Sequence, residues 1–381
     1  MMASIPSDRP VIRSQQEPAG GNGMQSETAE RVDSATWRRQ ALAILSAWGM
    51  SDAHAAVTAD VLVAADLMGI DSHGLTLLPL YDQQLGNGGA TATPNIEVVH
   101  DMGAVALIEG DAGFGQVPGM MAVDMAAERA GRFGISAISI RNSNHYGAAG
   151  VYVRRLAERG LVGISTSSVW RAGIVPTGGL APKLGTNPIA FAAPSARGQP
   201  FLLDMATSTA AIGKLKLAQR AETELPEGWA LTREGTPQRD PNLALLDPLL
   251  APLGGHKGYG LATMVEVLSS VLSGAALTPL RGAPGQKHDV GHFILALDPA
   301  MIRGSRAAFE ADLDRMVDGL RATDPIDPAH PVMVAGDPEY AREADRLAHG
   351  IPLSAKLAAQ LREIAERAGA AFLFERESAP T

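Results

Sequence analysis

The sequence predicts an α/β protein whose two ends are helical, and three observations carry that expectation. Helix-period apolar stripes occupy residues 34–69 and 309–368, and short β-type runs separated by glycine fill roughly 200 residues between them. The 41 glycines among 381 residues exceed the usual roughly 7% and mark many tight turns. In chain order, residues 1–32 are rich in Ser, Pro, Gly and Gln, lack an apolar run of signal length, and are expected to be a disordered extension. Ser34 is the expected cap of a first helix carrying Trp37, Ala41, Ile44, Leu45 and Trp48 and closing at Gly49. Ser51 caps a second, striped by Val57, Val61, Leu62, Ala65 and Met68 and stopped by Gly69.

Strands are expected at Val105–Ile108, Ile135–Ile140, Val162–Thr166, Ile189–Ala193 and Phe293–Leu297, with helices at Met120–Ala130 and Leu261–Ser273. Between Ile212 and Pro252 the prolines 226, 237, 241 and 248 forbid a long helix or a central strand, so this stretch reads as an extended surface excursion, a candidate lid. Phe309, Leu313, Met316, Val317 and Leu320 mark one late helix, and Leu357, Leu361, Ile364 and Ala368 another that stops at Gly369. The terminal helices are expected to pack together.

Composition removes several function classes. Charged residues number 32 Lys+Arg against 41 Asp+Glu, a formal charge of −9, which leaves no broad basic face for nucleic acid or an anionic membrane. The absence of cysteine rules out disulfides, thiolate metal sites and cysteine nucleophiles. The least polar stretch, Leu261 to Leu280, contains Glu266 and three serines and reads as a buried helix, so the expected location is the cytoplasm.

Gly113-Phe-Gly115-Gln-Val-Pro-Gly119 lies between a strand and a helix, but its last spacing is one residue too long for a dinucleotide fingerprint. No acidic residue follows about 20 positions later to hold a ribose. Phosphate-loop and nucleophile-elbow patterns are absent. His288 and His292 are four apart, yet Gly291 and a β-type run exclude a shared helical face, and no metal is expected.

Three segments resist a purely structural reading. Asp71-Ser72-His73-Gly74 follows a helix stop, and Arg141-Asn-Ser-Asn144-His145-Tyr-Gly147 follows a strand at the end where α/β proteins place binding groups. Gly254-Gly-His256-Lys257-Gly-Tyr-Gly260 lets backbone approach a ligand, with Lys257 favouring an anion.

These segments, with Gly110–Gln116, Leu184–Phe191, Leu203–Ser208, Gly254–Glu266, Gly291–Pro299 and Gly336–Glu339 in the same order, resemble the malate/L-lactate dehydrogenase family of NAD(P)-dependent oxidoreductases from about residue 34 to 375. The resemblance implies a mixed-sheet, non-Rossmann α/β fold. It implies a helical part 33–100 with the Ser-His-Gly motif, a cofactor- and substrate-binding domain 101–300, and a C-terminal helical part 301–381 packing with the N-terminal helices. It further implies NAD or NADP along Leu203, Asp204, Met205 and Ala206, at His256 and Lys257, and at Gly336 and Asp337, with Ser168 as a further contact. Proton transfer falls to His145 or His73. The greater weight goes to His145, with His73 and Ser72 completing the site, since imidazole titrates near working pH. Asn144, Arg141 and position 77 are assigned to the substrate.

Two departures from the family pattern stand out. Position 77 is Leu where relatives commonly carry a carboxylate-binding Arg, so Arg141, Arg171 or Lys183 takes that role, or the substrate is bulkier or less acidic than malate. His256 stands where an aromatic residue is usual. The resemblance implies interconversion of 2-oxo and 2-hydroxy acids, with reduction of a cyclic imino acid as the alternative and a homodimer as the assembly. A non-catalytic cofactor-binding paralogue is the rival that Leu77 alone suggests.

Overall fold

A computed structural model describes residues 30–281 and 288–374. It opens on a strand, β1 (Glu30–Val32), so the last three residues of the expected extension are ordered; the rest of it, residues 1–29, lies outside the described part. Helices α1 (Ser34–Ala47) and α2 (Asp52–Leu67) follow. Asp33, not Ser34, caps α1: its carboxylate accepts the Thr36 N–H at 2.8 Å, and a negative charge suits a helix N-terminus better than a hydroxyl does. Ser51 caps α2 as expected. Two 3-10 turns, Asp71–His73 and Leu75–Leu77, lead into α3 (Leu78–Gly86).

The middle of the chain supplies β2 (Glu97–Asp101), β3 (Val105–Glu109), α4 (Gln116–Phe133), β4 (Ile135–Ser143), α5 (Ala149–Glu158), β5 (Val162–Ser167), β6 (Ile189–Ala193) and β7 (Phe201–Met205). Residues 212–252 correct the expected extended excursion. They form α6 (Ile212–Arg220), the paired strands β8 (Ala230–Leu231) and β9 (Pro237–Gln238), and α7 (Pro241–Leu246) around a core of their own that includes Leu215, Leu225, Ala244 and Leu250. The prolines cluster after residue 225, which leaves 212–220 free to coil, and Pro241 sits in the first turn of α7, where its missing N–H costs nothing.

Helix α8 (His256–Glu266) starts five residues earlier than expected and continues as a π-helical turn, Val267–Val271. Then come β10 (Val290–Leu297), α9 (Pro299–Arg303), α10 (Arg306–Arg321), α11 (Asp337–His349), β11 (Ile351–Leu353) and α12 (Ala355–Ala368).

Seven strands form a mixed sheet in the order β2-β3-β4-β10-β5-β6-β7. Only β3 and β4 run parallel; β10 is antiparallel to both β4 and β5. A doubly wound dinucleotide fold needs a mainly parallel sheet, so this order agrees with the failed fingerprint at Gly113. One core lies between the sheet and helices α4 and α5, built from Ile108, Ile138, Ile140, Ile294, Ala122 and Tyr152 among others. A second joins the chain ends: Trp37, Ile44 and Leu62 meet Leu357, Leu361 and Ile364, and β1 pairs with β11. Helix α10 does not join them. It lies along residues 195–197, where Asp314 accepts from the Ser195 hydroxyl at 2.7 Å and Asp318 pairs with Arg197. Among the described residues no helix is long and apolar enough to cross a membrane.

Leu361 is fully buried where the two chain ends meet. Leu361→Ala is expected to lower unfolding stability by about 2–5 kcal/mol in urea titration.

Candidate functional site

The segments after β4 and β5, the end of β7, helix α3 and residues 323–339 converge on one cleft of about 1900 Å³. That exceeds the roughly 300–1,000 Å³ of an ordinary small-molecule site and admits two ligands side by side.

One wall is the turn that carries Ser72 and His73. Buried Asp66 on α2 accepts the Leu75 N–H at 2.9 Å and the Trp37 indole N–H at 2.6 Å. Burial raises its carboxyl pKa to about 7. A Cβ on Gly74 would stand 1.8 Å from that carboxylate, so the turn passes only because residue 74 is glycine. From α11, buried Arg346 pairs through both terminal nitrogens with Asp71 and also donates to the Asp66 carbonyl. Held this way, His73 accepts or donates at Nδ1 with the Ser72 hydroxyl, 2.8 Å away.

The facing wall is the run after β4. The His145 ring lies 5.4 Å from the His73 ring, centre to centre. Its Nδ1 accepts the Gly147 backbone N–H at 3.1 Å, an arrangement that needs the left-handed φ of +82° at Gly147. The Tyr81 hydroxyl is also 3.1 Å from Nδ1 and accepts from the Gln116 amide at 2.7 Å. Behind them, His292 stacks on Tyr146 at 4.3 Å and bonds the Ser167 and Ser143 hydroxyls. Burial lowers the His73 pKa to about 4. The same cause, reinforced by neighbouring imidazoles, lowers that of His145 to about 3, and burial takes His292 to about 3 as well. All three rings are therefore neutral near pH 7.

At the end of β7 buried Asp204 accepts the Gly150 N–H at 2.7 Å, and burial raises its pKa to about 6.

The cleft brings together Ser72, His73, Leu77, His145, Ser168, Leu203, Asp204, Met205, Ala206 and Gly336. Five residues singled out from the sequence stand elsewhere. Asn144 is buried, its amide donating to the Ala112 carbonyl at 2.8 Å, so it braces the loop that carries His145. Arg141 is held by Glu109 at 2.8 Å, and Asp337 by Arg321. His256 and Lys257 open α8 on the exposed surface, off the cleft wall. His288 does line the cleft, where it stacks on Trp170, away from the partners of His292. Sequence reasoning missed Asp66, Tyr81, Gln116 and Arg346, whose roles depend on contacts across 29 or more positions; the one local hint was Gln116 inside the glycine-rich turn.

The sequence model of the malate/L-lactate dehydrogenase family matches residues 32–362. A malate dehydrogenase of Pyrococcus abyssi is 38% identical over 334 residues, 86% of this chain and 91% of that protein. A Δ1-pyrroline-2-carboxylate/Δ1-piperideine-2-carboxylate reductase of Pseudomonas putida is 37% identical, over 70% of this chain and 79% of its own length. Among solved structures, a malate dehydrogenase from Entamoeba histolytica superposes with a TM-score of 0.86 at 29% identity, covering 90% of this chain and 99% of that one.

The three imidazoles set an acid limit. Their folded pKa values lie below the unfolded 6.5, so the stability they contribute is complete above pH 6.5 and is lost as pH falls towards 4 and 3. Asp66 and Asp204, raised above 3.8, act in the opposite sense and offset part of the loss. His292→Gln removes one imidazole while retaining polar contacts. Between pH 6 and 4 its urea-derived stability is expected to fall less steeply than wild type, by about 1.4 kcal/mol per pH unit.

Proposed function

The chain belongs to the malate/L-lactate dehydrogenase family, and we propose that its cleft interconverts a 2-oxo acid and a 2-hydroxy acid with His73 carrying the proton. Membership makes it an oxidoreductase dependent on NAD or NADP. The residues present fit such a cofactor. Leu203–Ala206, Ala148–Gly150 and Gly336 offer a largely backbone wall, and Lys216 and Arg220 of α6, neither in an ion pair, suit its phosphates. When bound, the nicotinamide supplies or receives the hydride.

One contrast carries the assignment of the proton. His145 Nδ1 faces a backbone N–H, which cannot turn away, so a proton on Nδ1 would set two N–H groups against each other. The neutral ring therefore keeps its proton on Nε2. It can donate a hydrogen bond to a substrate oxygen but cannot accept a proton there. His73 Nδ1 faces a hydroxyl, which donates to a bare nitrogen and accepts from a protonated one. His73 can thus take a proton at Nε2 and return it, in either direction of the reaction. This reverses the weight that sequence alone gives to His145. Because the rings lie 5.4 Å apart in a buried site, they hold at most one added proton between them.

The same groups would serve a cyclic imine, protonated on nitrogen, and the Pseudomonas putida relative supports that as the second reading.

We also propose a homodimer. Met264, Val267, Val271 and Leu272 recur at helical spacing on the exposed side of α8 and its π-helical extension. His256 and Lys257 begin the same helix, so pairing two copies through it would carry them towards the other copy's cleft.

His73→Ala is expected to lower kcat about 10²–10⁴-fold while NADH affinity, read by fluorescence titration, stays within a factor of two or so. His145→Asn keeps an N–H donor and is expected to lose less; a fully active His73→Ala enzyme would sink the assignment. The double variant Val267→Asp with Leu272→Asp is expected to be monomeric by light scattering and to bind cofactor more weakly.

A further inference from the structure

Position 77, which lines the cleft in the turn before α3, is an apolar leucine and offers a carboxylate no charge. The structure tests the three cations that could replace it. Arg141 is engaged by Glu109 away from the cleft, and Lys183 is not on the cleft wall. Arg171 lines the cleft and, among the described residues, makes no ion pair or hydrogen bond.

Its setting is rigid. Trp170, the preceding residue, is sandwiched between the His288 ring at 4.1 Å and the Arg281 guanidinium at 5.0 Å. The Val169 carbonyl accepts from Arg281 Nη1 at 2.7 Å and from the Thr278 hydroxyl at 3.0 Å. The backbone on the N-terminal side of Arg171 is therefore fixed before any ligand arrives, which lowers the entropy lost on binding. Arg281 itself is occupied by three carbonyls, and burial, with the nearby charges of Arg281 and Arg171, lowers the His288 pKa. Positive charge available to a ligand here is that of Arg171.

The position relative to the chemistry follows from a chain of contacts. His288 Nδ1 is 3.2 Å from the Gln84 amide, and Gln84 is three residues beyond Tyr81 on α3, whose hydroxyl meets His145. Three helical residues span about 4.5 Å. These contacts set Trp170, and with it Arg171, beside the α3 wall of the cleft, about one helical turn from the residue that meets His145.

Resting on the reading of the cleft as a 2-oxo acid site, we propose that Arg171 anchors the substrate carboxylate, and that the substrate carries a single carboxylate beside its oxo or imino carbon. The guanidinium fork donates to both carboxylate oxygens and leaves the oxo group directed at His73 and His145. Leu77 and Leu80 face the rest of the molecule as an apolar wall.

Lys356, at the start of α12, also lines the cleft and is the control. The test titrates pyruvate, 2-oxo-4-methylpentanoate and methyl pyruvate into the full-length protein by calorimetry with NAD or NADP in its oxidised form, so that no hydride can be transferred and binding alone is read. Wild type is expected to bind the two acids at least ten-fold more tightly than the ester. Arg171→Met should weaken both acids at least ten-fold, abolish the preference over the ester and leave NADH affinity unchanged. Lys356→Met should change neither, and Leu77→Arg added to Arg171→Met should restore part of the acid affinity. Acid affinity unchanged in Arg171→Met, loss of affinity in Lys356→Met instead, or no acid binding by wild type overturns the proposal. Arg171-dependent acid binding with no oxidation of NADH or NADPH by any acid or cyclic imine overturns the reaction and leaves the anchor standing.

Discussion

The turn that carries Ser72 and His73 depends on a buried carboxylate and a buried guanidinium, neither of which lines the cleft. Asp66 ties the backbone of Leu75 and the indole of Trp37, while Arg346 ties Asp71 to α11. Between these two fixed points lie Ser72 and His73. The arrangement draws on three remote stretches of chain, because Trp37 belongs to α1, Asp66 to α2 and Arg346 to α11. Packing of the chain ends into one core is thus also what sets the position of the His73 ring. Removing the Asp71 carboxylate would leave the Arg346 guanidinium buried without its ion-pair partner, which is why such a pair tolerates little change.

The cleft separates two jobs that one histidine could in principle share. A backbone amide fixes one ring as a donor, and a hydroxyl leaves the other free to change state. Burial lowers the pKa of both rings and so keeps them neutral near pH 7. Asp204, also buried, adds a group of intermediate acidity at the other side of the cleft, close to the N-terminus of α5.

Much of this was legible in the residues. The helix stripes at both ends, the strands near Ile135 and Val162, and the polar segments at Ser72–His73 and His145 all lie where the local pattern places them, since periodicity and glycine placement are short-range signals. What escaped was long-range. Asp33 and Ser34 are both good caps, and only the contact with Thr36 distinguishes them. The stretch after Ile212 folds because its apolar residues meet Ile174 and Leu184, which no local window contains. Arg141 and Asn144 looked like ligand-binding groups from their place after a strand, yet their partners are Glu109 and the Ala112 carbonyl. Polar residues beside a site are as often its supports as its contacts.

The place of β10 in the sheet bears on how the molecule is made. It lies between β4 and β5, although those two are separated in sequence only by α5 and short turns, while β10 arrives more than 120 residues after β5. The strands that carry His145 and Ser168 to the cleft cannot take their final spacing until residues 290–297 have been synthesised and inserted between them. During translation the first half of the sheet must therefore wait with an open seam of unpaired amides and carbonyls. A nascent chain stalled before residue 290 would hold every residue of the Ser-His-Gly turn and still lack a formed cleft, and its exposed seam would be a target for chaperones or for a neighbouring strand.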